Sequence, residues 1–377
     1  MINILYVHND LDIGGAQAIR YMFLKHLPKD EYKIHICCLR KKGRYGDKLE
    51  AMGYRIKELT QSSHFFSFLT TYKLFAYMKS EAFDIIHSSL FFANYHSTLA
   101  GTLAKIPLII TEEHGEHSFH LKTRYWFHRL IGRLIARLSD VILCCSDAIK
   151  KDIQRLYHVP ETKIKVIKNM VEDETLHVSR SRKTIRHELQ LPEQATVLGT
   201  VSSLSRIKNQ RLLIDLLYRF KEKELFLVFV GDGPLKEELR KYAISLDISS
   251  KVRFTGWRDD VANILNSLDV FILPSISEGM PISLLEAMSM GLPCIATRVG
   301  GIEELLSDGV TGKLVEVNNH GELANALAWV LDNRGEAEKL GLAARQHVIQ
   351  NFKSSSYVNK VIELYENLKK KKTMMVN

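Results

Sequence analysis

Short apolar runs alternate with longer helical patterns along the whole chain, and they do so in two series. The first series has strand candidates at Asn3–His8, Lys33–Leu39, Ile85–His87, Leu108–Thr111, Val141–Cys145 and Ile164–Ile167. The second has them at Val197–Val201, Phe226–Val230, Val252–Thr255, Val270–Leu273, Pro293–Ala296 and Gly312–Val315. Runs that are apolar throughout, separated by amphipathic helical stretches, suit parallel strands covered by helices on both faces. Between the two series lies a polar, poorly periodic stretch, Glu172–Glu193, which reads as a linker whose second half could form a short helix. The expectation is therefore two doubly wound α/β domains facing a cleft, residues 1–171 and 194–354, with 172–193 joining them. A length of 377 residues agrees with two cores rather than one. Ligands of such sheets bind outside the carboxyl ends of the strands, so functional residues are sought in the loops that follow strands.

Composition narrows the class. With 46% hydrophobic and 25% charged residues the chain is expected to be globular. No apolar run approaches the roughly 18 residues that span a bilayer. The start, "MINILYVHND", has the character of a first strand rather than of a secretion signal, so a cytoplasmic protein is expected. The five cysteines lack C-x-x-C spacing and read as buried free thiols. A net charge of +9 suits an anionic partner: nucleic acid, an anionic membrane surface or an acidic substrate. Nothing resembles a zinc finger or an aromatic-basic RNA motif, so nucleic acid is the least favoured of the three.

Three loops carry candidate chemistry. After the first strand, Gly14 and Gly15 precede a helical pattern, which permits close backbone approach and offers free N–H groups to an anion. In "VFVGDGPLKEEL" Gly231 and Gly233 also follow a strand, but Lys236 stands at the third position of G-x-G-x-x-G, so a dinucleotide fingerprint is rejected in favour of a turn. In "SSLSRIKNQ" Arg206 and Lys208 lie between a strand and a helix, where two cations suit a diphosphate. The stretch "SEGMPISLLEAMSMG" follows the strand Val270–Leu273 and is the most informative. Pro281 suits a helix start and Gly291 a helix stop, which places Glu278 in the loop and Glu286 on the helix. The free N–H groups in the span Gly279 to Ser283 favour phosphate, while Glu278 is suited to hydroxyls beside it.

Taken together, "EGMPISLLEAMSMGLPCIATRVGGIEELLSDGVTGKLV", "VGDGPLKEEL", "FTGWRDDV", "SLDVFILPS" and the early "GGAQ" resemble the retaining glycosyltransferases of family 4, which have the GT-B fold. The resemblance covers most of the chain and is strongest over 197–317. It implies that Glu278 contacts the donor sugar, that Glu286 holds the ribose, that Lys208 meets the diphosphate, and that Gly279, Met280 and Pro281 line the donor loop. It further implies a catalytic histidine after an N-terminal strand. His114 is the first choice, with His117 and His87 behind it. A C-terminal helix, about 355–372, would rejoin the first domain. The implied reaction moves a sugar from a UDP- or GDP-linked donor to a glycan or lipid-linked acceptor with retention, without cofactor or metal, in bacterial cell-surface polysaccharide or glycolipid synthesis. A nucleotide-sugar 2-epimerase, a retaining phosphorylase and a non-catalytic binding module share enough of this pattern to be alternatives. Two departures stand out: the family usually has glutamate in place of Gln17, and arginine in place of Ser203, for which Arg206 in the same loop is a candidate substitute, so the second cationic ligand stays open.

Two amphipathic stretches bear on membranes. "RYWFHRLIGRLIARLSD" places Phe127, Leu130, Ile131, Leu134, Ile135 and Leu138 at helical spacing beside Arg129, Arg133 and Arg137. Residues 64–79 form a second, aromatic stretch. Either could lie peripherally on the anionic inner face of the plasma membrane, although packing against the protein's own sheet is the plainer use of the first stripe.

Overall fold

The computed structural model describes residues 1–59, 67–115, 125–172 and 177–376. The chain divides into two compact units, Met1–Asn169 with Ser354–Asn377, and Met170–Lys353. The stretch 172–193 is thus part of the second unit rather than a linker. Its helix Arg182–Glu188 buries Ile185 and Arg186. The Arg186 guanidinium donates to the carbonyls of Ser267, Glu193 and Ala195 and to Asp269, which pins the helix to the start of the second sheet. A buried arginine with all three nitrogens hydrogen-bonded is invisible to hydrophobic periodicity, which is why the segment reads as polar connection.

The first unit holds a seven-stranded sheet in the order β3-β2-β1-β4-β5-β6-β7. Its strands are β1 (Ile2–His8), β2 (Tyr32–Cys38), β3 (Ile56–Glu58), β4 (Ile85–Ser89), β5 (Leu108–Glu113), β6 (Val141–Cys144) and β7 (Ile164–Val166). The second unit holds six in the order β10-β9-β8-β11-β12-β13. These are β8 (Thr196–Val201), β9 (Leu225–Val230), β10 (Val252–Gly256), β11 (Val270–Leu273), β12 (Cys294–Thr297) and β13 (Lys313–Val315). Every pairing within these two sheets is parallel. The order reverses between β1 and β4 in one sheet and between β8 and β11 in the other, which makes those two gaps the expected ligand positions.

Alternation along the strands sorts the side chains by face. In the first unit Leu5, Val7, Ile86 and Ile109 meet Leu74, Met78 and Ala100 from the helices Phe68–Ser80 and Phe91–Ala104. The opposite face carries Tyr6 and His8, in register with His87 and Ser89, with Glu112 beyond Ser89. That face packs against the helices Gly15–His26 and Ser354–Val376. In the second unit Leu227, Phe229, Ile272 and Ile295 form an apolar centre with Leu213, Leu217, Leu239 and Leu327. All five cysteines are free and buried; burial pushes the Cys37 thiol up to about 12 and also raises those of Cys38, Cys144 and Cys294, so these four are not nucleophiles at neutral pH.

Candidate active site

At the β8/β11 gap two loops meet. Lys208 ends a 3-10 turn, Arg206–Lys208, after β8, and Glu278 sits in the loop after β11. The loops are joined by the Ile276 N–H, which donates to the Ile207 carbonyl at 2.8 Å. Lys208 Nζ lies 2.6 Å from Glu278 Oε1, and Ser275 Oγ donates to the same oxygen at 2.6 Å. Ser275 is fixed in turn, since its carbonyl accepts from Thr297 Oγ1 at 2.5 Å. Glu278 is only 7% exposed, so its carboxylate is held in one position by two donors before any ligand arrives.

Gly279, Met280 and Pro281 follow, all buried. Pro281 is the N-cap of the helix Ile282–Ser289, one position earlier than a first-turn proline. Gly291 has φ of +75°, a left-handed value that suits the residue ending this helix. Glu286 lies on the helix and is half-buried. Burial pushes its carboxyl up to about 7. The β8 loop is braced by Gln210, whose side-chain amide donates to Ser202 Oγ and to the Ser203 carbonyl. Ser203 and Arg206 are both exposed. The Gly231–Gly233 turn packs under this loop. Gly231 has φ of +130°, and a side chain there would collide with the Ser202 carbonyl. Gly231 and Gly233 therefore shape the loop above them, as expected of a turn.

The first unit has a different kind of site at its β1/β4 gap. Gly14 caps the helix Gly15–His26 in extended conformation, and Gly15 is exposed. Gln17 is buried and donates to Asp10 Oδ1 at 3.2 Å. Behind this turn lies a buried polar network. Arg20 pairs with Glu112 Oε2. Its guanidinium also lies 3.2 Å from His87 Nε2 and stacks over the Tyr6 ring at 4.4 Å. His87 Nδ1 is 2.6 Å from the Tyr365 hydroxyl, which is 2.7 Å from that of Tyr6. Tyr357 donates to Glu112 Oε1 at 3.1 Å, and His114 Nε2 approaches the same oxygen at 3.5 Å. Burial lowers His87 to about 4, with Arg20 adding to the effect, so this histidine is neutral, and its ring is wholly buried within the network. His114 lies just past β5 and its side chain is 8% exposed. His117 lies outside the described residues.

The sequence reading did not single out Arg20, Glu112, Tyr357 or Tyr365. The only local signal was a pair of carboxylates, Glu112 and Glu113, directly ahead of His114. Among the described residues no group of histidine, cysteine and carboxylate side chains could hold a metal ion.

Two doubly wound parallel sheets with polar loops at their switch points are the architecture of the GT-B glycosyltransferases, and solved structures bear out that fold. The Anabaena Alr3699/HepE protein in complex with UDP-glucose superposes with a TM-score of 0.87 at 20% identity, covering 97% of this chain and 100% of that one. Residues 13–175 match the model for Glycosyltransferase Family 4 and residues 181–347 that for Glycosyl transferases group 1. The chain belongs to the family 4 glycosyltransferases. It is 27% identical over 367 residues to the UDP-Gal:alpha-D-GlcNAc-diphosphoundecaprenol alpha-1,3-galactosyltransferase of Escherichia coli, with 94% of each chain covered. It is equally 27% identical over 363 residues to the N-acetyl-alpha-D-glucosaminyl L-malate synthase of Bacillus anthracis, again with 94% of each covered.

Proposed function

We propose that this glycosyltransferase takes its sugar from a UDP-linked donor and transfers it, with retention, to a hydroxyl of a lipid-linked or glycan acceptor in cell-surface synthesis. The observation that carries this reading is the Lys208–Glu278–Ser275 cluster at the second unit's switch point. A cation and a fixed carboxylate 2.6 Å apart suit a phosphate next to a polyol. Glu278 accepts from the sugar hydroxyls, Lys208 and Arg206 neutralise the diphosphate, and Gly279, Met280 and Pro281 shape the loop between them. Glu286 takes the ribose hydroxyls. The first unit contributes His114 and the Gly14–Gly15 turn. The UDP donor is favoured by the named substrate of the E. coli relative and by the UDP-glucose complex of the Anabaena protein.

The bond between the sugar's anomeric carbon and the phosphate oxygen breaks, and its electron pair leaves on the diphosphate. The acceptor oxygen bonds to the anomeric carbon on the same face, and its proton passes to the departing phosphate oxygen. Lys208, Arg206 and the backbone N–H groups stabilise the charge that develops, so no metal or other cofactor is called for.

A panel of UDP- and GDP-sugars, with and without a bacterial lipid extract, tests the reading. The expected result is thermal stabilisation by one UDP-sugar, and glycolipid of unchanged anomeric configuration only when extract is present, with EDTA without effect. Interconversion of the sugar without acceptor, or dependence on free phosphate, would replace it with one of the alternatives.

A peripheral membrane position is favoured by the helix Tyr125–Leu138. Ile131 and Ile135 turn inward, as the plainer use of the stripe requires. Trp126, Leu130 and Leu134 instead stay exposed, 72%, 58% and 38% respectively, on one face with exposed Arg133 and Arg137. Among the described residues no helix is long and apolar enough to cross a membrane. An exposed apolar and basic face suits an anionic lipid surface, here the inner face of the plasma membrane.

A further inference from the structure

We propose that Glu112 is the positioning residue of His114, and that it is shared with Tyr357 so that the C-terminal helix adjusts the histidine. The inference rests on the reading that places His114 in the reaction. Glu112 Oε2 is committed to Arg20, and Oε1 accepts from the Tyr357 hydroxyl at 3.1 Å and has His114 Nε2 3.5 Å away, close but not hydrogen-bonded to it. The carboxylate is 5% exposed. Burial alone would raise its pKa, but His114 and Arg20 hold it well below the carboxylate range. A fixed anion facing Nε2 selects the tautomer with its proton on that nitrogen. Nδ1, buried and without a partner among the described residues, is then the lone-pair side that can accept from a hydroxyl. Catalytic contacts of this kind are often long before substrate binds.

The other ionisable groups here are settled. His87 on β4 is neutral. His8 on β1 is held neutral by burial and by Arg20. Burial works against the charge of Arg20 on the helix Gly15–His26, but Glu112 with Tyr6, Tyr365 and Tyr357 together offset it, so Arg20 stays charged. Burial and Glu112 keep Tyr357 on the C-terminal helix protonated. The variable element is therefore how Oε1 is apportioned between tyrosine and histidine.

The test measures kcat and KM separately for UDP release from the UDP-sugar selected by the donor panel. Glu112→Gln removes the anion that orients the histidine, and kcat falls about tenfold or more while KM for the donor stays within about twofold. Tyr357→Phe leaves Oε1 to the histidine alone, and kcat changes while KM again holds. A packing role predicts lower stability with kcat unchanged, and an unchanged kcat in a folded variant overturns the proposal. If Glu112→Gln does not fold, because buried Arg20 has lost its partner, Tyr357→Phe decides alone in the same way. His114→Gln separates the two levels. If it turns over normally, the placement of His114 and this proposal both fall. If it is inactive while both other variants keep the wild-type kcat, the proposal alone falls.

Discussion

Lys208 Nζ and Glu278 Oε1 lie 2.6 Å apart although 70 residues separate them in sequence. Their strands, β8 and β11, are neighbours across the switch point, so the loops that follow must meet. Each group satisfies the other here, and under the proposed function a phosphate and a hydroxyl would take their places. Lys208→Ala is expected to lower kcat by about 10²–10³-fold, the scale of removing one preorganised charge stabiliser. Arg206→Ala should have a smaller effect, because Arg206 is exposed while Lys208 is already held at the site. Steady-state kinetics of both variants check this; the reverse ranking would make Arg206 the principal diphosphate ligand.

Glu278→Gln keeps the shape of the side chain and removes its charge. Transfer should fall by about 10³-fold or more, while thermal stability changes little because Lys208 is partly exposed and can rehydrate. Substantial turnover in a folded Glu278→Gln enzyme would remove this residue from the sugar site.

The Glu286 carboxyl gives a pH dependence with a definite sign. Its folded value, about 7, lies above the ordinary 4.5. Between those values the unfolded chain has released the proton and the folded chain still holds it. Stability of the second unit therefore falls as pH rises from 4.5 to 7, by about 1–3 kcal/mol, and levels off above. Hydrogen exchange of β8 and β11 amides across this range should show the loss. Glu286→Gln should abolish it and be the more stable protein at pH 8. His87 acts in the opposite sense on the first unit, whose stability is expected to fall as pH drops from 6.5 toward about 4.

Binding to anionic liposomes should weaken with added salt, and neutral liposomes should bind far less. Reversing arginines is informative only where they are exposed. Arg129 donates to the Leu156 carbonyl at 3.3 Å and so braces the fold, and Arg124 lies outside the described residues. Arg133→Glu with Arg137→Glu is the appropriate pair, and Leu130→Ser with Leu134→Ser tests the apolar side. Sedimentation with vesicles should show both pairs released while soluble UDP-sugar hydrolysis is retained. Wild type that ignores anionic vesicles at low salt would point to a soluble acceptor.

The parallel strands were legible because their apolar runs are continuous. Only β3 was missed: three residues at a sheet edge, two of them exposed, leave no pattern. The second unit's candidate groups were legible because they lie in two short loops, each directly after a strand. The first unit's network was not. Arg20, Glu112 and the pair Tyr357 and Tyr365 come from three separate elements, and nothing local marks a tyrosine on an amphipathic helix as the partner of a glutamate 245 residues earlier. The segment 172–193 misled for the opposite reason, since a buried arginine looks from sequence like a solvated one.

The way Tyr357 and Tyr365 complete the first sheet has a consequence during synthesis. A ribosome delivers Arg20 and Glu112 early, and a nascent chain usually folds its leading domain first. Here that domain would stand with its polar face uncovered while the whole of Met170–Lys353 is still being made, until the helix beginning at Ser354 emerges to close it. Premature termination anywhere in the second unit would therefore leave both halves compromised, exposing a buried ion pair to water and marking the product for proteolysis.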